Sequence, residues 1–142
     1  MKEREVTLRA EYLLRLEKGE EVISAITDFC TRKQILSGSF RAIGAVAESK
    51  IGYYDLSIKK YGNIIYPEAR EVASMTGNIT QVDGTPFVHA HAVLTDMVKN
   101  ESVGGHVFEA KVAVTLEVHF AAFNELISRE LDNDIGLKLL DV

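Results

Sequence analysis

Three of the four histidines in this 142-residue chain fall in two short segments. His89 and His91 stand two apart in Thr85-Pro86-Phe87-Val88-His89-Ala90-His91-Ala92-Val93-Leu94-Thr95-Asp96, and His106 follows Gly104-Gly105. In a strand, residues two apart point the same way and lie about 7 Å apart along the chain. Two imidazoles so placed can swing onto one metal ion at N–metal distances of about 2.1 Å. Ala90 between them is small and faces the opposite side. Two glycines let the backbone turn sharply and come close to another element, which suits the delivery of a third ligand. Three neutral nitrogens suit zinc, and also nickel, cobalt or ferrous iron. From spacing alone a second reading stays open, that the pair is hydrogen-bonded on a half-buried strand. No His-Glu-x-x-His pattern or cysteine framework accompanies it. His119 shares a strand face with Glu117 and reads as a solvated or interface residue. Asp96, Glu109 and Glu117 are the carboxylates near these histidines, each a candidate to orient an imidazole or to act as a general base.

The elements that must position these residues are mostly strands. Val6, Leu8, Ala10, Tyr12, Leu14 and Leu16 alternate with polar residues, Leu13 excepted, which predicts a strand with one packed face. After Gly19 the period changes. Val22, Ile26, Phe29, Cys30 and Lys33 fall at helical spacing, with Glu20 and Glu21 in the expected first turn and Gly38 as a stop, so a helix is expected over Glu20–Leu36. Cys30 sits on its buried stripe and reads as an inert core thiol. Strands are then expected over Phe40–Ala47 and Ile51–Tyr61, with a turn at Gly62-Asn63 and a further run from Ile64 through Gln81. Asp83-Gly84 closes a hairpin, Thr85–Thr95 follows, and Gly104-Gly105 reads as a break. From Lys111 to Phe120, Val112, Val114, Leu116, Val118 and Phe120 share one face. A last turn falls at Asp132-Asn133-Asp134, with Ile135, Leu137 and Leu139 alternating beyond it. The expected fold is α+β, a mostly antiparallel twisted sheet of about seven strands with one main helix packed on it.

Length and composition bound the function. One domain over residues 1–142 is expected, with an apolar fraction of 46% and a charged fraction of 26% typical of a globular chain. The formal net charge is −5, and the basic doublets are only Arg32-Lys33 and Lys59-Lys60, so direct DNA binding, which rests on neutralising phosphates, is not expected. A single cysteine forbids an intrachain disulfide and a multi-cysteine zinc site. No signal-peptide pattern and no run near the ~18 apolar residues of a spanning helix is present, and a reduced, cytoplasmic setting without membrane association is expected. Phosphate-binding loops, dinucleotide fingerprints and a Gly-x-Ser-x-Gly elbow are missing.

Taken together, Gly77-Asn78-Ile79, Thr85-Pro86-Phe87-Val88-His89-Ala90-His91, Gly104-Gly105-His106-Val107 and Val114-Thr115-Leu116-Glu117-Val118 resemble the PPC (plants and prokaryotes conserved) domain. The Ser39-Phe40-Arg41-Ala42-Ile43-Gly44-Ala45 strand and the helix after Gly19-Glu20-Glu21 fit as well. The resemblance is to the single-domain prokaryotic type and implies a compact α+β domain that assembles as a homotrimer. It also implies that His89, His91 and His106 are metal ligands. Plant members carry an Arg-Gly-Arg-Pro AT-hook, which this sequence lacks. Their Gly-Arg-Phe-Glu-Ile-Leu partner-contact stretch is replaced here by Glu68-Ala69-Arg70-Glu71-Val72-Ala73. Prokaryotic members are often labelled DNA-binding, a label that this composition does not support.

Two functions follow from these residues. The first is a metal-binding, trimeric module, regulatory in role, that binds a protein partner or a small ligand. The second is a zinc-dependent enzyme, a hydrolase or lyase. Three histidines leave a fourth zinc position for water, as catalytic sites do. The module stands ahead, because no residue is placed by spacing as a base beside the histidines. One divalent ion per chain, zinc before other transition metals, is expected in either case.

Overall fold

The alternation of the N-terminal segment becomes strand β1 (Leu8–Glu17), and the computed structural model describes every residue from 1 to 142. Leu16 is buried while Leu13, the residue that broke the pattern, is 84% exposed on the other face. Helix α1 (Val22–Lys33) is shorter at both ends than the sequence pattern predicts. Glu21 is its N-cap, not a first-turn residue. Its carboxylate accepts from the backbone N–H groups of Ile23 and Ser24 and also from that of Ala110, which ties the helix start to the sheet. The helix ends at Gln34, which takes the left-handed conformation itself, so Gly38 is not the stop. Gly38 instead opens a strand, where an added Cβ would lie 2.5 Å from the Ala121 carbonyl oxygen.

Seven further strands follow: β2 (Gly38–Asp55), β3 (Lys60–Tyr66), β4 (Arg70–Val82), β5 (Thr85–Asp96), β6 (Glu101–Phe123), β7 (Ser128–Asp132) and β8 (Leu137–Asp141). The sheet therefore has eight strands where about seven were expected, and it is antiparallel except for one parallel contact between β4 and β7. β2 pairs with β6, β6 with β5, β5 with β4, and β4 again with β2, so the ladder closes on itself. The turn expected at Gly62-Asn63 lies earlier, at residues 56–59. There Asp55 Oδ1 accepts from the Ser57 backbone N–H at 2.8 Å and Lys59 takes a positive φ. Gly62 and Asn63 are ladder residues opposite Tyr53 and Gly52. Asp83-Gly84 does close the β4–β5 hairpin, both residues at positive φ.

Gly104-Gly105 is no break. The chain reverses at residues 97–100, where Asp96 Oδ1 accepts from the Val98 and Lys99 N–H groups, and both glycines run on inside β6. The face predicted from Val112 to Phe120 is also interrupted. Between Gly44 and Val46 the β2–β6 register slips, and Val114 turns outward to 70% exposure while Val112, Leu116, Val118 and Phe120 stay buried. The core gathers these with Val22, Ile26, Phe29 and Cys30 of α1 and Val88, Ala90, Ala92 and Leu94 of β5. Phe29 packs edge-on against Phe120 at 5.4 Å and against Tyr12 at 5.2 Å. Burial raises the Cys30 thiol to about 12, which keeps it inert as expected. No helix is long and apolar enough to cross a membrane.

Candidate metal centre

Strand alternation places the first two histidines. Val88, Ala90, Ala92 and Leu94 turn into the core, so Phe87, His89, His91 and Val93 must occupy the opposite face of β5. The third histidine arrives by strand pairing. His106 of β6 stands directly opposite His91 in the β5–β6 ladder. What Gly104-Gly105 provides is close approach to a neighbour, without the expected turn. At Gly105 an added Cβ would lie 2.4 Å from the carbonyl oxygen of Gly52 in β2, so β6 meets β2 tightly just before His106.

The three rings meet. Centroids are 5.1 Å apart for His89–His91, 5.0 Å for His89–His106 and 5.5 Å for His91–His106. One nitrogen from each lies within 4.8 Å of the other two, and no carboxylate or thiol shares the cluster. Tetrahedral ligation at about 2.1 Å places nitrogens about 3.4 Å apart, which side-chain rotation by an ångström or so would reach. Nδ1 of His106 is buried and has no hydrogen-bond partner in the protein. An unpartnered imidazole nitrogen is the kind of donor that a metal ion takes, so these residues fit a cation with nitrogen preference.

Burial and neighbouring charge favour the neutral form of His89 and His106, the form that ligates. Burial first, then His106, Arg129 and His91, hold His89 down at about 4. Burial first, with His91 and Arg129 after it, also lowers His106. Around them lie aromatic rings: Phe108 is 4.6 Å and Tyr61 5.2 Å from the His106 ring. His91 is exposed and borders a recess of about 250 Å³ lined by Ser74, Thr76, Gly104 and Gly105.

The remaining sequence candidates fall elsewhere. His119 meets Glu11 at 3.3 Å and lines a groove with residues of β1, β2 and β4, outside the cluster. Asp96 holds the 97–100 turn, Glu109 pairs with Lys50 at 3.3 Å, and Glu117 lines the His119 groove. None joins the three histidines. One residue that spacing did not single out does approach them. Arg129 of β7 donates to Thr80 Oγ1, Asn78 Oδ1 and the Lys138 carbonyl, and its terminal nitrogen lies 3.4 Å from His89 Nδ1. A single arginine on a short polar strand carries no sequence signal for this. The contact of Gln81 with β7, at the end of β4, and the Lys138–Asp83 pair dock the hairpin that brings it there.

This closed, mostly antiparallel sheet has counterparts among solved structures. The chain belongs to the Plants and Prokaryotes Conserved (PCC) domain family, whose sequence model matches residues 3–124. It is similar to the crystal structure of a metal-containing protein from Archaeoglobus fulgidus, with 36% identity and a TM-score of 0.92 over 99% of both chains. It is also similar to a plant- and prokaryote-conserved protein from Pyrococcus horikoshii. That protein is 32% identical, with a TM-score of 0.92 over 100% of this chain and 98% of its own. No curated protein matches the sequence.

Proposed function

We propose that this chain is a metal-binding module in which His89, His91 and His106 hold one divalent transition ion, zinc before nickel, cobalt or ferrous iron. The observation that carries it is the convergence of three imidazoles from paired strands, one with a buried nitrogen that the protein leaves unpartnered. The description of the similar Archaeoglobus protein as metal-containing agrees with this reading. Bound there, the ion would supply a Lewis-acidic centre with a coordination position left over for a ligand from solution. The chain's own part is to favour neutral His89 and His106, to fix the three imidazoles on rigid strands, and to leave the His91 side open.

The module assembles as a homotrimer and acts by binding a small ligand or a protein partner. An enzyme of the hydrolase or lyase type has less support, because Asp96 and Glu109 have partners away from the histidines and Glu117 lines a separate groove. Elemental analysis of protein purified without chelator tests the metal. One divalent ion per chain is expected, and protein that arrives metal-free and refuses zinc at neutral pH would sink the proposal.

A further inference from the structure

The family match ends at residue 124, yet the C-terminal hairpin beyond it sends Arg129 to the histidine cluster. A divalent ion held by three neutral imidazoles keeps its full charge, and Arg129 places a second cation beside His89. The cluster contains no carboxylate to offset either. Two adjacent positive groups in a partly buried site call for an anion between them. From this we infer that a small oxyanion, a carboxylate or a phosphate group, bridges the metal's open position and the Arg129 guanidinium. The inference rests on the metal assignment above.

The guanidinium is built for such a role. Thr80, Asn78 and the Lys138 carbonyl fix its plane, and it lies over the Phe87 ring at 5.2 Å. Nη1 keeps one N–H that none of these acceptors takes, while the second N–H of Nη2 faces His89 Nδ1 at 3.4 Å. A planar donor fork of fixed orientation is what recognises carboxylate and phosphate oxygens. Phe87 and Tyr61 are each about two-fifths exposed, so the surroundings of Arg129 and His106 reach solvent.

The test uses the full chain loaded with cobalt(II), whose visible absorption reports its coordination. Wild type and Arg129→Gln are first assayed for metal, then titrated separately with acetate and with inorganic phosphate at constant ionic strength. A saturable spectral change is expected in wild type with at least one anion, and the tighter of the two tells a carboxylate ligand from a phosphate one. Arg129→Gln should keep one cobalt per chain and bind that anion about tenfold or more weakly, as loss of a charge-assisted contact predicts. Wild type that takes up no cobalt fails the metal assignment itself, before any anion is added. Cobalt-loaded wild type without a saturable change overturns the inference alone, as do equal affinities in the two proteins. Loss of cobalt from Arg129→Gln would make Arg129 a support of the ligands, and also overturns it.

Discussion

His89, His91 and His106 stand on paired strands, and each offers one nitrogen to a common point, so removal of any one leaves too few ligands for a firm site. Single His→Ala changes at these positions should each lower bound metal strongly by elemental analysis. His119→Ala should leave it nearly unchanged, since His119 lies with Glu11 in a separate groove. Equal losses in all four would show the ligand set to be wrong. The rings also couple the metal-free fold to pH. Both His89 and His106 are held below the ordinary value of 6.5, so as pH falls the unfolded chain takes up protons before the folded chain does. Metal-free protein should lose stability from about pH 6.5 down toward 4, where folded His89 protonates as well. The urea midpoint of the His89→Gln/His106→Gln pair should fall less over that window than that of wild type. At this scale the sequence was informative because metal ligation needs particular side chains, and the histidine spacing displays them. Arg129 was not legible, because it reaches the cluster only through tertiary contacts of β7.

Elements carry these residues, and their joints were less legible than their existence. The period change after Gly19 gave α1, but its ends are set by the Glu21 carboxylate and by Gln34 at positive φ, which no periodicity reports. The Asp83-Gly84 hairpin was legible because both residues tolerate positive φ. Gly62-Asn63 and Gly104-Gly105 misled, since glycine also serves inside a strand where a neighbour comes close, the Tyr53 ring at Gly62 and the β2 and β5 backbones at Gly105 and Gly104. At Gly105 this has a measurable consequence. A methyl group there would meet the Gly52 carbonyl at 2.4 Å and Ile51 Cγ2 at 3.3 Å, forcing β6 away from β2 beside His106. Gly105→Ala should cost about 1–3 kcal/mol in denaturant unfolding, the usual range for overpacking. It should also weaken zinc retention, although no ligand is touched. Unchanged stability and unchanged zinc affinity would mean that the β2–β6 contact does not hold His106 in place.

For the whole molecule, charge and exposed apolar surface decide what can approach. The two basic doublets belong to different elements: Arg32-Lys33 ends α1, while Lys59 closes the turn before β3 and Lys60 opens that strand. With −5 per chain, association with duplex DNA is opposed at long range, and no mobility shift is expected at ~0.15 M salt, where screening acts over about 8 Å. A shift that survives that salt would contradict this. The homotrimer proposed above would have exposed apolar residues to bury. Leu13, Ile43 and Val114 are each more than half exposed, on β1, β2 and β6. Leu13 and Ile43 border a groove of about 530 Å³ that also carries Arg15, Arg41 and Glu117. A surface with an apolar centre and charges of both signs is suited to burial against a second copy. The number three comes from the family resemblance, because sequence periodicity has no bearing on symmetry. Light scattering at micromolar concentration should give three times the chain mass. Leu13→Glu would place a charge in the apolar contact and should shift the protein toward monomer while leaving the histidines able to take metal. A wild-type protein that scatters as a monomer, or a Leu13→Glu trimer as firm as wild type, would move the interface off this face.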